Sequence, residues 1–360
     1  MDSSKTTQFF LGANSPYGFY SLYDDFVSAV DGDFLWIIKG GPGNGKSSFM
    51  RKIADAARLK GLDVEEIPCS GDPGSLDGIY IPKLRTAYVD GTSPHTMDAD
   101  FPAASEMIVN LGNFYDAAAL RERLPDIMDN SRRYKALYTR AYALLSAARA
   151  VSPPSLPGLY EDKALSVIER RANGAALREF GRTKGAGQVP AERSRRRFIS
   201  ALSCEGELLL TDTVTQLCPR VYLLDNDLGL APRYLEHIAL HADERKIPVI
   251  ICPSPMEPSE LEAVLIPSLS LAFVAQNSRR SFDGEVYRHV RLDALADMRD
   301  KRTVFRTAQR QYNALLDEAL QNLAKAKDLH DDLERIYNPH VDFEGVYALA
   351  DEHINALGLR

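Results

Sequence analysis

The sequence predicts an α/β protein of two tandem lobes, each a mostly parallel sheet flanked by helices. Three observations carry this expectation. An apolar run, a glycine-rich turn and an amphipathic helix follow one another between Phe34 and Gly61, the order of a strand–loop–helix unit. Residues 49–93 align with 234–278 without a gap, and 13 of 45 positions are identical where composition alone gives about 3. In both copies strand-like and helix-like runs alternate, which puts helices on the faces of a sheet.

In chain order, the first copy opens with a lead-in containing Phe10, Ala13, Gly18 and Asp24. Phe34-Leu35-Trp36-Ile37-Ile38 then reads as a buried parallel strand. It runs into Gly40-Gly41-Pro42-Gly43-Asn44-Gly45-Lys46-Ser47, the spacing G-x-x-x-x-G-K-[ST]. Such a loop curls so that successive main-chain N–H groups converge on an anion. Its glycines supply the backbone angles and keep Cβ atoms away from phosphate oxygens. The residues expected on a nucleoside triphosphate are Gly41, Gly43, Asn44, Gly45, Lys46, Ser47 and Ser48. Lys46 would lie on the β- and γ-phosphates, and the Ser47 hydroxyl would ligate Mg²⁺. Phe49, Met50, Ile53, Ala54 and Ala57 recur at helical spacing until Gly61, so a helix aims its positive end at the same anion. Two more strands follow, the second ending in Ala87-Tyr88-Val89-Asp90. A closing helix carries Tyr134, Ala141, Leu145 and Ala148, which match Tyr312, Ala319, Leu323 and Ala326.

The second copy has lost the loop. Residues 225–233 read Asp-Asn-Asp-Leu-Gly-Leu-Ala-Pro-Arg, without lysine, with one glycine and with two aspartates. Carboxylates repel a triphosphate, so one nucleotide per chain is expected. The duplication is also an internal control: residues shared by both copies serve the fold, and those confined to the first are candidates for chemistry. Asp90, replaced by Ala275, is the clearest. An acid at the carboxyl end of a strand beside the loop suits an Mg²⁺-holding role; a solvated turn before Gly91 is the alternative. His95, replaced by Arg280, reads as a γ-phosphate sensor or a surface histidine. Asp72 could orient a water, although Glu257 keeps an acid there in the second copy.

The expected organisation is a nucleotide-binding lobe over 1–151, an Arg/Gly/Pro-rich linker over 152–197 and a degenerate lobe with a long C-terminal helix over 198–360. Residues 166–197 hold a local excess of basic side chains, and one of Arg195, Arg196 or Arg197 could act across the lobes as an arginine finger. A long helix is expected from about Thr303 to Tyr337, packed on the lobes rather than forming a free coiled coil. His330, Glu334, His340 and Asp342 could hold a metal, though a charged helix end explains them better. Net charge of −7 argues against an extended nucleic-acid surface. No apolar run reaches the roughly 18 residues of a membrane span, and the N-terminus lacks signal-peptide features. With four scattered cysteines, a cytoplasmic location is expected.

These motifs resemble a family of two-lobed bacterial P-loop proteins described as ATPases or ATP-binding proteins. The resemblance rests on Phe10-Leu11-Gly12-Ala13, Pro16-x-Gly18-Phe19, Lys39 through Ser47, Val89 through His95, Ile108 through Gly112 and Ala326 through Glu334. It spans nearly the whole chain and implies two P-loop NTPase-like lobes with ATP and Mg²⁺ as ligands. Members of the family often carry a phosphate loop in both lobes, and this chain departs from that at 225–233. The function expected is a slow Mg²⁺-dependent ATPase acting as a switch or motor subunit, with a protein partner possible. The alternatives are a phosphotransferase using the Arg-rich 121–140 helices as a lid, or a non-hydrolysing nucleotide sensor.

Overall fold

β-Branched and aromatic runs bounded by glycine, proline and aspartate form the central strands of two six-stranded sheets. The computed structural model describes residues 4–156, 162–181 and 193–360. The first part of the chain forms β1 (Thr6–Gln8), β2 (Gly12–Ser15), β3 (Gly18–Ser21), β4 (Phe34–Lys39), α1 (Lys46–Leu59), β5 (Val64–Pro68), β6 (Leu76–Ile81), β7 (Thr86–Asp90) and β8 (Glu106–Asn110), then α2 (Ala117–Glu122), α3 (Leu124–Ala150) and α4 (Asp162–Glu179). The second part forms β9 (Arg195–Arg196), β10 (Ser200–Ser203), β11 (Gly206–Leu209), α5 (Thr211–Leu217), β12 (Arg220–Asp225), α6 (Ala231–Glu244), β13 (Ile250–Ser254), β14 (Glu257–Ile266), β15 (Leu271–Gln276), β16 (Arg288–Val290), α7 (Arg302–Tyr337) and α8 (Phe343–Ala356).

The duplication is present in the topology. The first sheet has the order β1-β5-β6-β7-β4-β8, and the second, read from its other edge, has β9-β13-β14-β15-β12-β16, the same order element for element. Even a strained corner is repeated: Arg85 (φ 49°) and Ser270 (φ 53°) take left-handed backbone at equivalent places before β7 and β15.

Each sheet is mixed: three of its five pairings are parallel, and one strand runs against the other five. β6 runs antiparallel to both β5 and β7, as β14 does to β13 and β15. The connections decide this. A one-turn 3₁₀ helix, Pro82–Leu84, joins β6 to β7, and a parallel crossover needs a dozen residues or more.

The two lobes meet in reciprocal fashion. Phe10 N donates to Phe198 O, and Phe198 N to Phe10 O, both at 2.9 Å. Equivalent residues thus pair with each other, as across a two-fold axis. Alongside, α3 packs lengthwise on α7, its counterpart, through Ala141, Leu144 and Leu145 against Leu316, Ala319 and Leu323. The covering helices are exchanged. α8, at the end of the chain, buries Val346, Ala350 and Ile354 in the core containing α1 of the first lobe. α4, within the segment read as a linker, buries Ile168, Ala172 and Ala176 in the core containing α6 of the second. Among the described residues no helix is long and apolar enough to cross a membrane.

Candidate phosphate-binding site

The loop follows β4 and ends in α1, whose first residue is Lys46. Gly43 (φ 66°) and Gly45 (φ 84°) take left-handed backbone, where an L-residue would be strained. A Cβ on Gly40 would fall 1.7 Å from the Asn44 amide, and one on Gly41 2.8 Å from the Tyr115 hydroxyl. Glycine is therefore favoured by conformation at 43 and 45, while at 40 and 41 a Cβ would force the Asn44 and Tyr115 side chains to move.

Four consecutive loop carbonyls are held by side chains. Lys46 Nζ donates to Gly40 O (3.2 Å) and Gly41 O (2.8 Å), and Tyr115 Oη donates to Pro42 O (3.0 Å). Asn338, with Nδ2 turned to the loop, donates to Gly43 O (2.7 Å). In a trans peptide the C=O of one residue and the N–H of the next point in opposite directions. Fixing the carbonyls of Pro42 and Gly43 therefore turns the amides of Gly43 and Asn44 the other way. Gly45 caps α1 without a side-chain bond, so the first amides of the helix also lack an intrahelical acceptor. The Asn44 side chain is buried, and neither of its polar atoms finds a partner among the described residues.

Asp90 stands at the end of β7, opposite Ile38 of β4. Its Oδ2 lies 3.6 Å from Lys46 Nζ, and both side chains are 12% exposed. Its Oδ1 accepts from Thr92 N (2.9 Å) and Thr92 Oγ1 (2.5 Å). The structure thus brings Asp90 to the loop lysine through the sheet register. The Ser47 hydroxyl oxygen accepts from Leu76 N at 3.0 Å; with two lone pairs it retains one for a cation. Ser48 is exposed at the start of α1.

Other expected residues lie elsewhere. His95 is neither at the surface nor free to sense phosphate. It is buried, with Nε2 3.3 Å from Asp77 Oδ2 and Nδ1 3.1 Å from Asp90 O. Burial alone would lower the His95 pKa, but Asp77, and secondarily Asp90, hold it above the usual value. Burial alone would raise that of Asp77, and His95, Cys69 and Tyr23 together hold it below. In the second lobe Arg280 and Glu262 make the corresponding ion pair, so this pair belongs to the fold. Asp72 accepts from Ser75 Oγ (3.0 Å) and lies 3.5 Å from Lys327 Nζ. Arg197 is buried on Glu65 (2.7 Å) and the carbonyls of Asp25 and Phe26. Arg195 and Arg196 form the edge strand β9, which makes all three arginines parts of the contact between lobes. Of the residues considered for metal, His330 and Glu334 group with Asp331, their ligand atoms within 4.8 Å of one another. His340 and Asp342 do not join them; Asp342 caps α8 through Gly345 N.

The degenerate loop uses its amides internally. Asp227 N and Leu228 N donate to the Asp293 carboxylate at 3.0 and 3.2 Å. Burial, with added repulsion from Asp227 and Asp225, pushes the Asp293 carboxyl up to about 6, against the two amide bonds. Asp225 itself turns to His289 Nε2 (2.5 Å), and Asp227 to Ser278 N (2.7 Å). Two amides of this loop are thus taken by a carboxylate from residue 293, which the sequence reading did not identify.

Tyr115 and Asn338 also escaped it. They lie 73 and 295 residues from the carbonyls they hold, and no local pattern marks them. Compared with family models, curated proteins and solved structures, the chain matches none.

Proposed function

We propose that this protein binds one Mg²⁺–ATP per chain at residues 40–48 and hydrolyses it slowly, acting as a switch. The observation that carries the reading is the loop itself: two carbonyls held by its own Lys46 and two by Tyr115 and Asn338 from outside, glycines in left-handed backbone at 43 and 45, and the N-terminus of a fourteen-residue helix that no side chain caps among the described residues. Together these fit an anion cradle, in which Tyr115 and Asn338 hold the Pro42 and Gly43 carbonyls turned away from the anion.

The residues fit the ligand in detail. Gly43, Asn44 and Gly45 would present main-chain N–H groups, with the amides of Lys46, Ser47 and Ser48 completing the cradle. Lys46 holds Gly40 O and Gly41 O, and on binding its ammonium would pass to phosphate oxygens. Ser47 and Asp90 would hold Mg²⁺, which supplies charge neutralisation on the phosphates. Residue 91 is glycine, so no acid adjoins Asp90 to act as base, in keeping with slow turnover. The switch reading is favoured over a phosphotransferase with a mobile lid because the segment 121–140 is largely α3. Within that segment the helix meets α7 through Tyr134 against His330, ring centroids 5.7 Å apart, and through Arg140–Glu318 at 2.9 Å.

Calorimetric titration with ATP and Mg²⁺ tests the reading directly. Saturation at one nucleotide per chain, followed by phosphate release without an acceptor, is the expected result. Absence of binding, or turnover only when an acceptor is added, would overturn the ATPase assignment.

A further inference from the structure

The loop of the first lobe is roofed by the second lobe. A Cβ on Gly43 would fall 2.3 Å from the Asn338 side chain and 3.2 Å from Glu334 Cα. Asn338 opens the one-turn helix that follows α7. Its amide bonds Gly43 O at 2.7 Å and reaches back to Glu334 O at 3.2 Å, so one side chain ties the loop to the last turn of α7.

The internal repeat shows that this tie is not a feature of the fold. In the second lobe Gly229 of the degenerate loop meets the equivalent one-turn helix, Pro153–Ser155, where a Cβ would fall 2.6 Å from Pro154 Cβ. That contact is apolar and offers no donor. The other clamp behaves alike: laying β16 on β8 through their registers with β12 and β4 places Ala296 at the position of Tyr115. Packing of a one-turn helix on the loop is common to both lobes. Donors aimed at the loop carbonyls occur in the lobe that keeps the lysine.

We propose that Asn338 is a positioning residue for the phosphate site, and that the seating of α7 is thereby linked to what the loop holds. The proposal rests on the reading of residues 40–48 as a nucleotide site. By holding Gly43 O, Asn338 turns the next amide, that of Asn44, toward the ligand. A ligand that favours this loop conformation must, by linkage, favour the docked end of α7. α7, 36 residues long, packs along α3 and lines, with Gln309 and Tyr312, a cavity of about 360 Å³ beside the degenerate loop.

Asn338 is exposed, so its replacement leaves the cores intact. Asn338→Ala removes the donor, and Asn338→Asp turns a carboxylate toward the Gly43 carbonyl. Dissociation constants for ATP and for inorganic pyrophosphate would be measured for the full chain and both variants, with thermal melts as a control. Affinity for both ligands is expected to fall roughly threefold to tenfold for Ala, and further for Asp, at unchanged melting temperature. Hydrogen exchange over residues 327–343 adds a readout that a merely structural role would not move. ATP should slow exchange there in the unmodified protein and lose that effect in Asn338→Ala. Failure of the unmodified protein to bind either ligand would overturn the nucleotide reading and this proposal with it. Normal binding by both variants, or exchange over 327–343 that ignores ATP, would overturn the linkage alone.

Discussion

Lys46 and Asp90 sit 3.6 Å apart with both side chains largely withdrawn from water, and the proposed function asks something different of each. Lys46→Ala removes the cation from the cradle and frees two loop carbonyls, so ATP affinity should fall at least a hundredfold while the circular dichroism spectrum is kept. Unchanged binding by calorimetry would remove the phosphate-site assignment. Asp90→Asn keeps the shape and the Thr92 contacts but loses the charge. Mg²⁺-dependent turnover should drop tenfold or more, and metal-free nucleotide binding should change little; equal loss in both would mean that Asp90 acts through Lys46 and not through Mg²⁺. Behind Asp90, the Asp77–His95 pair sets a pH window. The pKa of His95 lies above its ordinary 6.5, so its stabilisation is complete below that pH and is lost as pH rises through the raised value. That of Asp77 lies below 3.8, so its stabilisation is complete above that pH and is lost as pH falls through the lowered value. Urea unfolding should show the pair's contribution at its fullest between those limits. Asp77→Asn should cost about 3–5 kcal/mol there, since it leaves a buried imidazolium without its carboxylate partner. An equal cost at pH 9 would mean the pair is not ionic.

At the scale of elements, the sequence announced most of what was built. The run before Gly40 became β4, and the apolar spacing after Lys46 became α1. The period from Thr303 to Tyr337 became α7, within one residue at its start. These features were legible because each depends on local periodicity and on glycine or proline punctuation. The antiparallel course of β6 and β14 follows from short connections, a constraint available in the sequence but not drawn from it. The exchange of α4 and α8 was not legible. An amphipathic helix presents the same stripe whichever sheet it covers, and the stripe of α8 names no partner. Its location carries a prediction: Ile354→Ala, near the C-terminus, should destabilise the first lobe by about 2–4 kcal/mol. Protection of β4 and β7 amides should fall with it, and loss confined to β12 and β15 would contradict the exchange.

For the whole molecule, the exchange means that neither lobe carries its own covering helix. A fragment ending at residue 156 lacks α8 and leaves the covered face of α1 open to water. It should therefore show no cooperative melt, and a sharp transition for that fragment by itself would show that the lobes are separable. The sequence by itself determined the duplicated α/β plan, the position of the glycine-rich loop with its lysine and serine, and the loss of that loop in the second copy. It could do so because patterns of spacing survive in one dimension. Tertiary structure alone decided that β7 lies beside β4 and sets Asp90 against Lys46. It likewise turned His95 into the core, brought Tyr115 and Asn338 to the loop carbonyls, and put Asp293 on the amides of the degenerate loop. Each is a contact between segments far apart in the chain, fixed by strand register and by the pairing of α3 with α7, and side-chain chemistry at such contacts leaves no periodic trace in the residues that make them.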